Sequence, residues 1–205
     1  MRLSRSPTIQ TLAVCLVVFV VQSAVRFVSP ALALGLFALS PPVAGHVWTL
    51  PLSVYSHAGF AHLFSNAVAL VLVGFIVERG TTTARYHAFF LTVGMAAGLV
   101  QVWVTELFSS QPPAVLGASG AILGLYGYLI ASNDISEAVF GRLRLSRRAQ
   151  VLIVVVFTTL VTLMTAAPGV ALLAHFTGFA LGLIAGRLHI LRTETQATSN
   201  ARMVQ

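Results

Sequence analysis

Apolar positions in this chain fall into long runs separated by short polar breaks, without the alternating or one-sided patterns of soluble strands and helices. A helix crossing a bilayer needs about 20 such residues. Six runs qualify, at about 9–28, 60–78, 87–107, 117–133, 150–167 and 170–190. The fourth is short and glycine-rich, and the fifth and sixth meet at a tight turn around Pro168-Gly169. Between the first and second runs, Ser29 to Gly59 carries three prolines before His46, with Trp48 and Tyr55 after it. That segment is too apolar for an aqueous loop and too broken to span, so an interfacial or re-entrant element is expected. The pattern predicts an all-α membrane protein, one domain over 1–205 with six transmembrane helices, a membrane-embedded first loop and a short disordered polar tail.

Composition supports this reading. The chain is 57% hydrophobic and 8% charged, with a mean hydropathy of +0.90. Soluble domains carry about a quarter charged residues, so little room remains for one here. The net charge of +7 comes from twelve arginines and no lysine. They sit in short loops and at the ends, where they orient helices, and not in a patch that would suit nucleic acid. Arg2, Arg5, Arg79, Arg85, Arg142, Arg144, Arg147, Arg148, Arg187, Arg192 and Arg202 fall on one side, leaving Arg26 alone on the other. The positive-inside rule then puts both termini in the cytoplasm of a cell-membrane protein. Cys15 is the only cysteine, so no intrachain disulfide can form. Thr11 to Val28 is long for a signal-peptide core and no small-residue cleavage site follows, so a retained helix is expected.

With that orientation the second, fourth and sixth helices all begin on the outer side. His57 and His62 flank the start of the second, Ser119 in Gly117-Ala118-Ser119-Gly120 opens the fourth, and His175 lies early in the sixth. At 1.5 Å per residue, Ser119 and His175 sit about 10 Å or less below their outer helix ends. His62 and Asn66 are four apart and share a helix face. Both can donate hydrogen bonds. With a backbone N–H near Ser119, they could stabilise the oxyanion of a tetrahedral intermediate. His175 is the candidate general base for the Ser119 hydroxyl. Gly117 and Gly120 permit an irregular backbone around the serine. Gly120 and Gly124 on one helix, and Gly178, Gly182 and Gly186 on another, form small-residue faces on which the two can pack closely.

Each residue also has a plainer reading. A single membrane serine commonly bonds its own backbone. A single membrane histidine can be a packed polar contact or a proton relay, and Asn66 can simply bridge two helices. His87 and His189 fall near cytoplasmic ends and read as interfacial, and Glu78 with Arg79 reads as a structural anchor. It is the shared depth of the outer set that favours chemistry. Other mechanisms fit less well. Asp134 is the only aspartate, so one chain cannot supply an aspartyl pair, and no His-Glu-x-x-His occurs. A metal on His57, His62 and His175 would leave Ser119 and Asn66 without a role. No acid lies near His175 in sequence, which points to a Ser–His dyad needing no cofactor or metal. A transporter would carry polar residues along a whole pathway, and the inner helix halves offer few.

At these residues the chain resembles the rhomboid family of intramembrane serine proteases. The matching stretches are His57-Ala58-Gly59-Phe60-Ala61-His62-Leu63-Phe64-Ser65-Asn66, Gly117-Ala118-Ser119-Gly120, and Ala174-His175-Phe176-Thr177-Gly178 with Gly182. They run from the first loop to the last helix. The resemblance implies a six-helix rhomboid-like bundle with Ser119 as nucleophile and His175 as base. It implies an oxyanion site from His62, Asn66 and backbone N–H groups around Ala118 and Ser119, with His57 holding water or shaping the site. Its implied partners are transmembrane protein substrates, cleaved near the outer face after approach past the helix at Gln150 to Ala167, and the bilayer itself. Nothing in the pattern sets an oligomeric state. Two departures stand out: Trp48-Thr49 where the family often has Trp-Arg, and Leu123 where an aromatic commonly packs on the catalytic histidine. The alternative the resemblance leaves is an inactive relative that binds or escorts membrane proteins; such relatives typically lose the serine or histidine, and this chain keeps both.

Overall fold

The computed structural model describes residues 5–108, 113–132 and 171–193, with Ala149, Leu152 and Val156 as single positions between them. The fifth expected span apart from those positions, the Pro168-Gly169 turn, the arginine cluster at 142–148 and the polar tail lie outside the described residues. Among the described residues three helices are long and apolar enough to cross a membrane: α1 (Pro7–Val28), α4 (Phe60–Val77, prolonged by a 3-10 turn to Gly80) and α5 (Thr83–Phe108). Ser6 caps α1 by accepting from the Ile9 N–H, and Pro7 occupies the first turn, where its missing N–H does no harm. α5 begins four residues before the hydropathy pattern suggests. Thr82 caps it, taking the Arg85 N–H on Oγ1 at 3.2 Å and the Tyr86 N–H on its carbonyl at 2.9 Å. Val17, Leu72 and Trp103 are exposed on these helices, as a lipid-facing surface requires.

The proline-broken segment after α1 forms two short helices, neither of which spans: α2 (Pro30–Phe37) and α3 (Thr49–Tyr55), joined through a 3-10 turn at Val43–Gly45. Thr49, Ser53 and Val54 of α3 are buried. The helix packs on α5, where a Cβ at Gly94 would come within 2.7 Å of the Val54 side chain. Leu39 and Val115 exchange two backbone hydrogen bonds, of 2.8 and 2.9 Å, tying this segment to the stretch that leads into Ser119.

α6 (Ser119–Ala131) and α7 (Leu172–Arg187) have 13 and 16 residues. At 1.5 Å per residue they are about 20 and 24 Å long, shorter than a hydrocarbon core of about 30 Å. Neither is long enough to cross such a core by itself. They make the closest helix packing among the described residues. A Cβ at Gly178 would collide with the Gly120 carbonyl, one at Gly182 with the Gly124 carbonyl, and one at Gly186 would lie 2.6 Å from the Tyr128 carbonyl. Gly127, which the sequence pattern does not single out, meets the Phe179 carbonyl in the same way. Backbone meets backbone at each of these glycines.

Polar side chains join the helices at the end opposite the site. Buried Glu78 accepts from the Ser6 hydroxyl at 2.7 Å and the Thr8 N–H at 3.1 Å, so it is an interhelical anchor between α4 and α1. His87 reaches Gln10 Oε1 at 2.8 Å. Arg85 donates to the Arg192 carbonyl and Arg192 to the Ser132 carbonyl, both at 2.6 Å, the latter at the C-terminal end of α6.

Candidate active site

Ser119 is the first residue of α6, and a left-handed turn delivers it. Gly117 has φ +135°, which a residue with a Cβ rarely adopts. Its N–H is held by the Ser53 carbonyl of α3 at 2.9 Å. Buried Ala118 then occupies the cap position, where no side chain bonds the first-turn N–H groups of α6. Those groups, and the positive end of the helix dipole, point at the space around the serine.

α7 brings His175 to the same point. Its Nε2 lies 2.8 Å from Ser119 Oγ, across 56 residues of sequence, at hydrogen-bonding distance. His175 is buried and Ser119 half-buried. Gly120 and Gly178, each next to or near one of the pair, let the helix backbones approach closely enough for this bond.

His62 comes from the first turn of α4. Its ring edge faces Gly117: a Cβ there would lie 2.7 Å from Cε1 and 3.0 Å from Nε2. The Ala58 N–H points to Nδ1 at 3.4 Å, a long bond that leaves the ring proton on Nε2. Asn66 stands one turn further on and donates from Nδ2 to the His62 carbonyl at 2.9 Å, which occupies one of its two amide protons. His57 is fully buried and stacks edge-on against His62, with centroids 5.2 Å apart. Its Nδ1 donates to the Tyr55 carbonyl at 3.1 Å. Burial, with His62 beside it, pushes the His57 pKa down to about 4 against the opposing effect of that carbonyl. The ring is neutral at ordinary pH and adds no charge behind His62. His57, Asn66 and Ala118 line one small cavity beneath the site. Among the described residues no group of three or more His, Cys, Asp or Glu side chains could hold a metal.

A family model described as the Rhomboid domain matches residues 44–192, well over half of the chain. The chain belongs to the rhomboid family. RHOMBOID-like protein 5 of Arabidopsis thaliana is 29% identical over 151 residues, 73% of this chain and 46% of the relative. Rhomboid protease GluP of Bacillus subtilis (strain 168) is 41% identical over 86 residues, 42% of this chain and 16% of the relative. Putative rhomboid protease YdcA, from the same bacterium, is 25% identical over 150 residues, 73% of this chain and 71% of the relative. The chain spans less than half the length of the plant relatives it matches.

Within this rhomboid domain both departures have a local account. Buried Thr49 turns its hydroxyl onto the His46 carbonyl at 2.6 Å, closing the turn before α3. Leu123 packs into the cluster of Ala131, Phe179 and Leu183, so this part of the α6–α7 seam is filled by an aliphatic side chain. Three supporting residues escaped the motif reading. Ser53 anchors Gly117, Gln22 Oε1 accepts the His57 N–H at 3.0 Å, and Gln101 Oε1 accepts the Ala174 N–H at 3.2 Å, next to His175. The signal was present: Gln22 and Gln101 are uncharged polar residues inside otherwise apolar spans, a placement that asks for a buried partner.

Proposed function

We propose that this rhomboid protein is an intramembrane serine endopeptidase that cleaves transmembrane proteins near the outer membrane face through a Ser119–His175 dyad. The observation that carries the reading is the 2.8 Å contact between His175 Nε2 and Ser119 Oγ at the uncapped start of α6. His175 takes the hydroxyl proton as Ser119 Oγ attacks the scissile carbonyl. The tetrahedral oxyanion is met by first-turn N–H groups of α6 and by His62 Nε2–H, with Asn66 adding its remaining amide proton. His175 returns the proton to the leaving amine, and water then hydrolyses the acyl-enzyme. Water must reach a serine set below the membrane surface, and the shortness of α6 supports a cavity open to the outer side. The names of the two bacterial relatives, Rhomboid protease GluP and Putative rhomboid protease YdcA, favour hydrolysis over an escort role.

Ser119→Ala and His175→Ala should each abolish cleavage of a model single-span substrate in proteoliposomes while the protein stays folded. A fluorophosphonate should label wild-type Ser119 and neither variant. Undiminished cleavage by either purified variant would sink the dyad.

A further inference from the structure

Among the described arginines Arg26 stands alone at the site end of the helices, since Arg5, Arg79, Arg85, Arg187 and Arg192 all lie at the other end. A guanidinium at an apolar helix end is unfavourable unless it finds a partner. Arg26 has one: Nη1 donates to the Ala58 carbonyl at 2.6 Å. One turn earlier on the same helix, buried Gln22 accepts the His57 N–H at 3.0 Å. The two bonds grip residues 57 and 58 from both sides. Between them lies a single peptide, and its N–H, on Ala58, is the group directed at His62 Nδ1.

The consequence is a tautomer. An imidazole whose Nδ1 accepts must carry its proton on Nε2. In His62 that is the nitrogen facing Gly117, beside the nucleophile. The Ala58–His62 bond is long at 3.4 Å, so it would not hold the ring by itself against rotation of a free loop. The 2.6 Å charge-assisted bond from Arg26 is the short, strong link in the chain.

We propose that Arg26, assisted by Gln22, is a positioning residue: the outer end of α1 clamps the 57–58 segment and keeps the His62 proton on Nε2, aimed at the oxyanion. This rests on the reading of His62 as an oxyanion donor. It assigns α1, which contributes no group to the dyad, a part in setting the rate.

Two readouts on the full chain in detergent separate this from a merely structural arginine. The first is cleavage of a model transmembrane substrate by wild type, Arg26→Ala and Arg26→Lys. Arg26→Ala should lower kcat about ten-fold, the equivalent of one lost hydrogen bond, with KM unchanged and with partial recovery in Arg26→Lys. The second is nitrogen NMR of labelled histidines, with the His62 signals assigned from a His62→Gln variant. Wild type should show His62 protonated at Nε2 alone, and Arg26→Ala a mixture of tautomers. If Arg26→Ala does not fold, Arg26→Met keeps the stem and removes the donor. A single Nε2–H tautomer with wild-type kcat in the variant overturns the proposal, as does a loss confined to KM. If wild type neither cleaves nor labels with fluorophosphonate, the protease reading fails, and the tautomer measurement still decides whether Arg26 sets the His62 proton.

Discussion

Gly117 is where a single atom decides the most. Its φ of +135° is strained for any residue with a Cβ, at about 1–3 kcal/mol. That Cβ would also lie 2.7 Å from the His62 ring. Gly117→Ala should therefore move the ring or the turn, and with either the alignment of an oxyanion donor. Loss of one such donor lowers kcat about 100-fold or more, so the variant should fold, label slowly with fluorophosphonate and cleave at about a hundredth of the wild-type rate. A kcat within two-fold of wild type would mean that His62 does not contribute from its place beside Gly117. Sequence reasoning reaches residue identities at this scale because spacing reports shared faces. It does not reach atoms. That Asn66 turns one amide proton back to the His62 carbonyl, and that His57 turns Nδ1 to Tyr55, depends on local backbone geometry that spacing does not encode.

Among the elements, the α6–α7 seam controls whether the dyad exists. Gly182 lies two turns below His175, and a side chain there would meet the Gly124 carbonyl, which belongs to helix backbone and cannot rotate aside. Gly182→Leu should wedge the helices apart and exceed the ~1–3 kcal/mol typical of an overpacked core site. The expected result is a lower thermal midpoint together with loss of fluorophosphonate labelling, though no catalytic atom is touched. Gly35→Ala is the matched control, since nothing lies within 4 Å of a Cβ there, and it should change neither. Labelling at the wild-type rate in Gly182→Leu would separate the seam from the dyad. The small-residue spacing made most of this seam legible beforehand. Gly127 was not, because it stands three residues after Gly124 rather than four and so falls outside the small-residue spacing. The early start of α5 was missed for a related reason: a hydropathy window sees apolar side chains, whereas Thr82 starts the helix by capping. α2 and α3 are too short for any periodicity to register, and their positions come from prolines and tertiary contacts.

At the scale of the whole molecule, the described residues place two groups of polar contacts at opposite ends of the apolar helices. One holds Ser119, His175, His62, Asn66 and Arg26. The other holds Glu78 with Ser6 and Thr8, His87 with Gln10, and the chain of Arg85, Arg192 and the Ser132 carbonyl. The second layer gives the arginine bias a structural content. Arg192 neutralises the carbonyl end of α6, whose opposite end is the one at the nucleophile, so the same helix has its N-terminus at the site and its C-terminus in the arginine layer. The positive-inside rule predicts that the arginine layer lies in the cytoplasm and the site layer outside. Single cysteines in a Cys15→Ala background test it, because Ala84 and Ala114 are both exposed and belong to opposite layers. A membrane-impermeant maleimide applied to intact cells should label Ala114→Cys, and should label Ala84→Cys only after permeabilisation. The reverse pattern would put the serine on the cytoplasmic side. It would redirect the search for substrates to that face while leaving the Ser119–His175 geometry unchanged.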